Sequence, residues 1–408
     1  MIHADYLLLG GGVASAQAAT AIRAVDPDGR IVLVAGEAHK PYDRPPMSKG
    51  VLKGTMTPYD AESKADDFYE KNQVDLMTGV MATAIDRQSR TVTLSDGQEV
   101  VYKRLLLALG ASAKKPDFPG GDLPSVWSLR TVDDSTGLRE QFEKRLRVVI
   151  VGAGYIGVEA GAAALLHGST VTIIDPSGQV WSKFASKETG GHVQRFLEGK
   201  GATFVFEEVT GIEAGHGEMM VRTKNGAYPA DLVLAGVGAT LNVEVPAAAG
   251  FEMDEKHGVV TDGSLRTTTD PHVWVAGDIA AFYDVAMNKR WHAEHYLNAK
   301  WQGLHAGREM AHDAVGGHQP ESYDRVPYFF SDILEAHMVL RGDPQSKPAR
   351  IIGDVEKGEY AELYAREDGT LACALAFSFD GDKADRLGDE FEGWIRAKPP
   401  VADVMVEV

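Results

Sequence analysis

Two glycine-rich turns carry the residue types and spacings most able to do chemistry in this sequence. Gly10-Gly11-Gly12-Val13-Ala14-Ser15 follows a short apolar run, Asp5 to Leu9, and opens into a small-residue stretch with helical preference. Gly152-Ala153-Gly154-Tyr155-Ile156-Gly157 follows a second run, Arg147 to Val151, and opens into an alanine-rich helix. Glycines here let the chain turn tightly and let a pyrophosphate approach the backbone N–H groups of a helix start. An acidic residue joins each turn at the end of the next expected strand: Glu37, 27 residues after Gly10, and Asp175, 23 residues after Gly152. A carboxylate so placed accepts hydrogen bonds from ribose hydroxyls and repels a 2′-phosphate. The second motif is complete, whereas the first has Ser15 in its third position.

The elements that must position these residues are strand, turn, helix, strand in both places. Ile31 to Ala35 ends at Gly36-Glu37, and Thr170 to Ile174 is closed by Asp175. The repeat is a duplicated nucleotide-binding unit, and the fold class expected is α/β, with two Rossmann-like dinucleotide-binding domains and a small α+β C-terminal domain. Between the repeats, Thr91 to Asp96 reads as a hairpin strand and Arg104 to Leu109 as a buried one. Pro116, Pro119, Gly120, Gly121 and Pro124 mark a linker, and a less sharp crossing falls at Asn242 to Gly250. Val273 to Ala276 is then a strand ending in Gly277-Asp278, Ala293 to Ala314 a helix, and Asp385 to Arg396 an amphipathic helix after a run of short strands from Ser322. The expected domains are 1–112 with 246–321, 113–245, and 322–408.

Composition narrows the function further. A chain of 408 residues, 44 % apolar and 25 % charged, is globular in type and holds two or three domains. It has no apolar run of about 18 residues and no basic-then-apolar start, which points to the cytoplasm and away from a membrane. A net charge of −18 argues against nucleic acid or an anionic lipid surface as partner. With Cys373 as the single cysteine, no disulfide or CxxC pair can form within the chain, so redox chemistry must come from a cofactor. Cys373 reads as a small buried hydrophobe. His292, His295 and His305 share one helical region without the carboxylates or cysteines of a metal site, and core or solvent roles suit them better.

Two nucleotide sites imply two nucleotides, and the natural pairing is a diffusing nicotinamide with a resident flavin. After Asp175 come Pro176, Ser177, Gly178 and Gln179, with no arginine for a 2′-phosphate, so NADH is favoured over NADPH, although Lys183 lies nearby in sequence. Thr268-Thr269-Asp270-Pro271-His272-Val273-Trp274-Val275-Ala276-Gly277-Asp278 resembles the second flavin motif of two-dinucleotide-domain reductases, which gives FAD to the first fingerprint and NADH to the second.

Pro41-Tyr42-Asp43-Arg44-Pro45-Pro46-Met47-Ser48-Lys49-Gly50-Val51-Leu52 is similar to the tyrosine, arginine, double-proline, serine, lysine signature of the ferredoxin and rubredoxin reductase family. Ser128-Leu129-Arg130-Thr131, Glu294-His295-Tyr296-Leu297-Asn298-Ala299 and Val326-Pro327-Tyr328-Phe329-Phe330-Ser331-Asp332 extend the resemblance over most of the chain. It implies an FAD set of Gly10, Gly12, Ala14, Ser15, Glu37, Arg44, Lys49, Ala82, Arg130, Asp278, Glu294 and Tyr296. The implied NAD set is Gly152, Gly154, Tyr155, Ile156, Gly157, Asp175 and Gly238. Arg44 and Arg130 would neutralise the pyrophosphate, Ala82 would meet the adenine side, and Tyr296 would lie at the flavin ring. Lys49 would sit beside flavin N5, paired with Glu159, as the catalytic couple. The chain departs from the family at Tyr296 and Phe330, where tryptophan is usual, and at Leu107-Ala108-Leu109-Gly110.

The reaction implied is hydride transfer from NADH to FAD, then single electrons to a small electron-transfer protein, a [2Fe-2S] ferredoxin feeding an oxygenase. A homodimer is compatible with the same resemblance. Such ferredoxins are acidic, and so is this chain: from Asp354 to Val408 there are fourteen acidic and six basic residues, so docking needs a local basic patch. Two other readings stay open at this point, an NADH oxidase or quinone reductase, and an apoptosis-inducing-factor-like signalling flavoprotein.

Overall fold

The computed structural model describes residues 1–215, 218–317 and 319–408. The chain divides into two compact units, one of residues 1–43, 61–112 and 240–327, the other of residues 44–60, 113–239 and 328–408.

In the first unit, four strands lie parallel in the order Val74–Thr78, Ile31–Ala35, Ile2–Leu9 and Glu99–Leu107, and Val273–Val275 adds parallel to the far end of the last. The first half of Glu99–Leu107 instead carries an antiparallel meander of Thr91–Leu94 and Ala82–Asp86. Ile31 to Ala35 is buried at every position, as a central parallel strand covered on both faces must be. The helix Val13–Val25 packs along the long helix Tyr296–Val315. Gly303 and Gly307 make that contact: a β-carbon on either would overlap the backbone of Ala14 or Ala18, so the two helices meet backbone to backbone.

The second unit repeats the parallel plan with strands in the order Ala202–Val205, Thr170–Ile174, Arg147–Val151, Leu232–Ala235 and Val126–Trp127. The helices Tyr155–Leu166 and Lys187–Gly199 accompany it. A five-stranded antiparallel sheet follows in the order Tyr328–Ile333, Ala336–Gly342, Leu371–Ser378, Glu359–Ala365 and Lys347–Asp354. Helix Gly381–Ala397 covers its central strands with Ala384, Leu387, Phe391 and Ile395. Cys373 lies fully buried in this sheet. Among the described residues no helix is long and apolar enough to cross a membrane.

Candidate functional site

The first fingerprint forms as expected from its glycines. Gly10 has a φ of +124°, and a β-carbon there would overlap the Ala108 carbonyl, so neither the turn nor the close strand approach tolerates another residue. Gly12 caps Val13–Val25 with no side-chain hydrogen bond, no acidic residue in the first turn, and open space where a β-carbon would point. Such an N-terminus presents free N–H groups and the positive end of the helix dipole to an anion. The Ser15 hydroxyl and the Gln302 amide nitrogen are buried without a hydrogen-bond partner among the described residues, while Gln302 Oε1 accepts from the Gly277 N–H at 2.8 Å. Buried polar atoms left over in this way suit a phosphate-bearing ligand rather than a dry turn.

Other members of the set lie in the same unit. Glu37, at the end of its strand, accepts a hydrogen bond from the Tyr42 hydroxyl at 2.5 Å. Asp278 is buried after Val273–Val275, and Ala82 opens the outer strand of the meander. Glu294 meets His292 Nε2 at 2.9 Å, and His292 Nδ1 lies 2.9 Å from His257 Nδ1, a pairing that spacing alone could not have found. Tyr296 begins the long helix and donates to Asp43 Oδ2 at 2.6 Å; burial first, then this bond, pushes its phenol well above the usual range. Ser63 donates to the other Asp43 oxygen at 2.5 Å. Burial pushes His295 down to about 4.

The second fingerprint has the same backbone logic with a tighter third position. Gly152 has a φ of +113°, Gly154 caps Tyr155–Leu166 over open space, and a β-carbon on Gly157 would overlap the Gly152 carbonyl. Asp175 ties the turn together, accepting from the Ala153 N–H at 2.7 Å and from the Ser177 N–H at 2.8 Å. Gly238, at a φ of +112°, has open space where a side chain would stand. Tyr155 packs on Phe329 with ring centres 4.9 Å apart.

In this unit the structure also brings together Lys49 and Glu159. Lys49 Nζ is 3.2 Å from Glu159 Oε1, 3.8 Å from Asp332 Oδ2 and 4.3 Å from the centre of the Phe330 ring. Glu159 is 1 % exposed on the inner face of its helix, a position tolerable for a carboxylate only because donors surround it. The Ser48 and Ser331 hydroxyls each donate to it at 2.5 Å. These serines sit in the two quoted motifs, where their positions beside Lys49 and Asp332 were the available signal. Lys53 also faces the cluster: burial pulls its ammonium below the usual range, against the opposing pull of Asp332 and then Glu159. Arg44 donates to the Arg130 carbonyl at 2.7 Å, and Thr131 with Asp134 forms a capping box that fixes Arg130 at the start of Val132–Phe142.

The chain is 28 % identical over 380 residues to the anthranilate 1,2-dioxygenase system ferredoxin–NAD(+) reductase component of Burkholderia cepacia, covering 92 % of this chain and 91 % of that protein. It is 30 % identical over 375 residues to the biphenyl dioxygenase system ferredoxin–NAD(+) reductase component of Paraburkholderia xenovorans, covering 91 % and 89 %. The reductase fold of the covalent putidaredoxin reductase–putidaredoxin complex superposes with a TM-score of 0.89 at 26 % identity, over 98 % of this chain and 95 % of that one. The family description "pyridine nucleotide-disulphide oxidoreductase" matches residues 4–303. Two fingerprints of one plan, each with its acidic strand end, are what that match spans, and the chain belongs to the pyridine nucleotide-disulphide oxidoreductase family.

Proposed function

We propose that the protein is a cytoplasmic NADH-dependent flavoprotein reductase that delivers electrons to a small redox protein, a [2Fe-2S] ferredoxin serving an oxygenase. The observation that carries the reading is the buried Lys49 and Glu159 couple, 3.2 Å apart, in a chain of the pyridine nucleotide-disulphide oxidoreductase family. The ferredoxin reductase relatives supply the acceptor class. With Cys373 as the single cysteine, and buried, the electrons have no dithiol to visit on the way.

Residues 1–112 with 246–321 would hold FAD, 113–245 NADH, and 322–408 would form the C-terminal domain. When bound, FAD accepts a hydride from NADH and gives up the electrons one at a time. The helix start at Gly12 receives one pyrophosphate and that at Gly154 the other, with Arg44 and Arg130 as the guanidinium charges assigned to the flavin nucleotide. Glu37 and Asp175 accept ribose hydroxyls, and Asp175 orders its own turn through Ala153 and Ser177. Ala82 and Asp278 complete the flavin set, with Tyr296 held by Asp43. Lys49 presents a positive charge already compensated by Glu159, so little reorganisation is needed as charge moves.

Anaerobic stopped-flow reduction by NADH tests this. Lys49→Met should keep its yellow cofactor and reduce on the order of ten- to a hundred-fold more slowly. Reduction at the wild-type rate would remove Lys49 from the mechanism. Rapid reoxidation by an iron-sulfur protein, weakening with added salt, supports the ferredoxin reading; rapid reoxidation by air or quinone alone would replace it with an oxidase or quinone reductase.

A further inference from the structure

We infer that the consecutive residues Tyr42 and Asp43 form a two-sided clamp on the flavin-nucleotide site, Tyr42 positioning Glu37 at the adenosine ribose and Asp43 positioning Tyr296 at the flavin ring. The inference deepens the proposed function and rests on the places given there to Glu37 and Tyr296.

Both partners are reached by direct hydrogen bonds within the first unit. The Tyr42 hydroxyl donates to Glu37 Oε2 at 2.5 Å, and the Tyr296 hydroxyl donates to Asp43 Oδ2 at 2.6 Å. Tyr42 is only 4 % exposed, so packing fixes the ring that carries its hydroxyl. A hydroxyl bonded to a carboxylate away from bulk water orients both groups, because solvent competes little for either. Tyr296 keeps its proton for the bond, since burial and then Asp43 hold the phenol well above its ordinary value.

The dipeptide is anchored from behind by residues 61–63. Tyr42 and Glu62 form an antiparallel bridge, with the Asp43 N–H donating to the Ala61 carbonyl at 2.8 Å and the Ser63 N–H to the Pro41 carbonyl at 3.0 Å. The Ser63 hydroxyl then donates to Asp43 Oδ1 at 2.5 Å, so Asp43 is held by its backing segment through one oxygen and holds Tyr296 through the other. Successive side chains of a strand pair leave on opposite sides, which lets two neighbours serve two separate partners. Charge on the outer surface adds little: Lys40 meets Glu62 at 4.0 Å with both side chains partly open to solvent.

The two arms act on different parts of the nucleotide. Glu37, turned by Tyr42, meets the ribose in one orientation, so loss of the Tyr42 hydroxyl is a loss of nucleotide affinity. Tyr296, tethered by Asp43, presents its ring in one orientation, so loss of the tether alters the surroundings of the flavin ring and leaves the ribose contact in place.

The experiment uses the FAD-loaded protein, with FAD release on dilution followed by flavin fluorescence and the bound flavin followed by visible circular dichroism. Tyr42→Phe should release FAD about ten-fold faster with the dichroism of the bound flavin unchanged. Asp43→Asn, of the same size, should change the dichroism while release stays within about three-fold of wild type. Ser63→Ala, which loosens Asp43 from behind, should move the same band in the same direction by less. Tyr42→Phe should add nothing to release in a Glu37→Gln background, nor Asp43→Asn to the dichroism in a Tyr296→Phe background, a non-additivity that loss of folding stability alone does not produce. The clamp is overturned if either variant moves both signals alike, or if the paired effects add in full. Should Glu37→Gln and Tyr296→Phe move their signals while Tyr42→Phe and Asp43→Asn leave them at wild type, only this inference fails; should Glu37→Gln and Tyr296→Phe move neither, the FAD placement in the proposed function fails with it.

Discussion

The two fingerprints of this chain reach the same N-terminal geometry by different packing. At the second, the helix sits down on its own strand, because Gly157 allows contact with the Gly152 carbonyl. At the first, Ser15 takes that position, and the backbone-to-backbone approach is made on an adjoining face of the helix, where Gly303 and Gly307 admit the backbone of Ala14 and Ala18. The acidic residues differ as well. Asp175 is bonded into its own turn, whereas Glu37 takes a hydroxyl from Tyr42, five residues on. A shared motif thus specifies an anion site without specifying what braces it.

That comparison can be broken most sharply at the helix pair. Gly303→Val forces a side chain into the Ala14 backbone and should destabilise the first unit by about 3 kcal/mol or more, with loss of FAD on purification. Gly161→Ala, on the second fingerprint helix, meets side-chain methyls of Ile173, Ile150 and Val171 at 3.1, 3.3 and 3.5 Å rather than backbone, and should cost about 1 kcal/mol or less in a urea titration.

A pH ramp should separate the units next. His295 in the first unit is half-buried, and desolvation of its ring lowers its folded value to about 4 against an ordinary 6.5. The unfolded chain therefore binds the proton first, so its stability contribution is intact above about pH 6.5 and falls away as pH drops towards 4, by about 3 kcal/mol at most. His295→Asn should flatten that slope; an unchanged slope would mean that the side chain finds a proton acceptor in the folded protein.

Coenzyme preference comes third. Asp175→Arg should raise the NADPH over NADH ratio of kcat/KM by on the order of ten-fold, less than an unbraced site would allow because the Ala153 bond is lost too. No shift would place the ribose elsewhere. An effect of opposite sign is expected at Ser15, whose unpartnered hydroxyl should make Ser15→Ala stabilising to the FAD-free protein, by about 1 kcal/mol, in thermal melts.

Much of this architecture was legible in the sequence. The strand Ile31–Ala35 and the paired strands Arg147–Val151 and Thr170–Ile174 lie where apolar runs ending in glycine or an acid place them. Helix boundaries were less so: the amphipathic stretch from Asp385 to Arg396 is part of a helix that begins at Gly381, capped by Asp380, a signal outside the apolar period. The site divides similarly. Gly10, Gly12, Gly152, Gly154 and the acidic strand ends could be named because backbone conformation and local spacing demand them. Ser48, Ser331, Lys53 and His257 could not, since each acts through a partner far away in sequence or across a strand pair.

By itself, then, the sequence determined that two nucleotide folds exist, that one carries a complete fingerprint, and that a single cysteine leaves redox chemistry to a cofactor. Those are properties of local backbone choice and of composition, which short stretches carry without help. Only tertiary structure decided that Glu159 has three donors and that Lys49 is shared with Asp332. A buried charge is tolerated only where its partners converge, and here they converge from residues 48 to 332 through packing and register that no local pattern encodes.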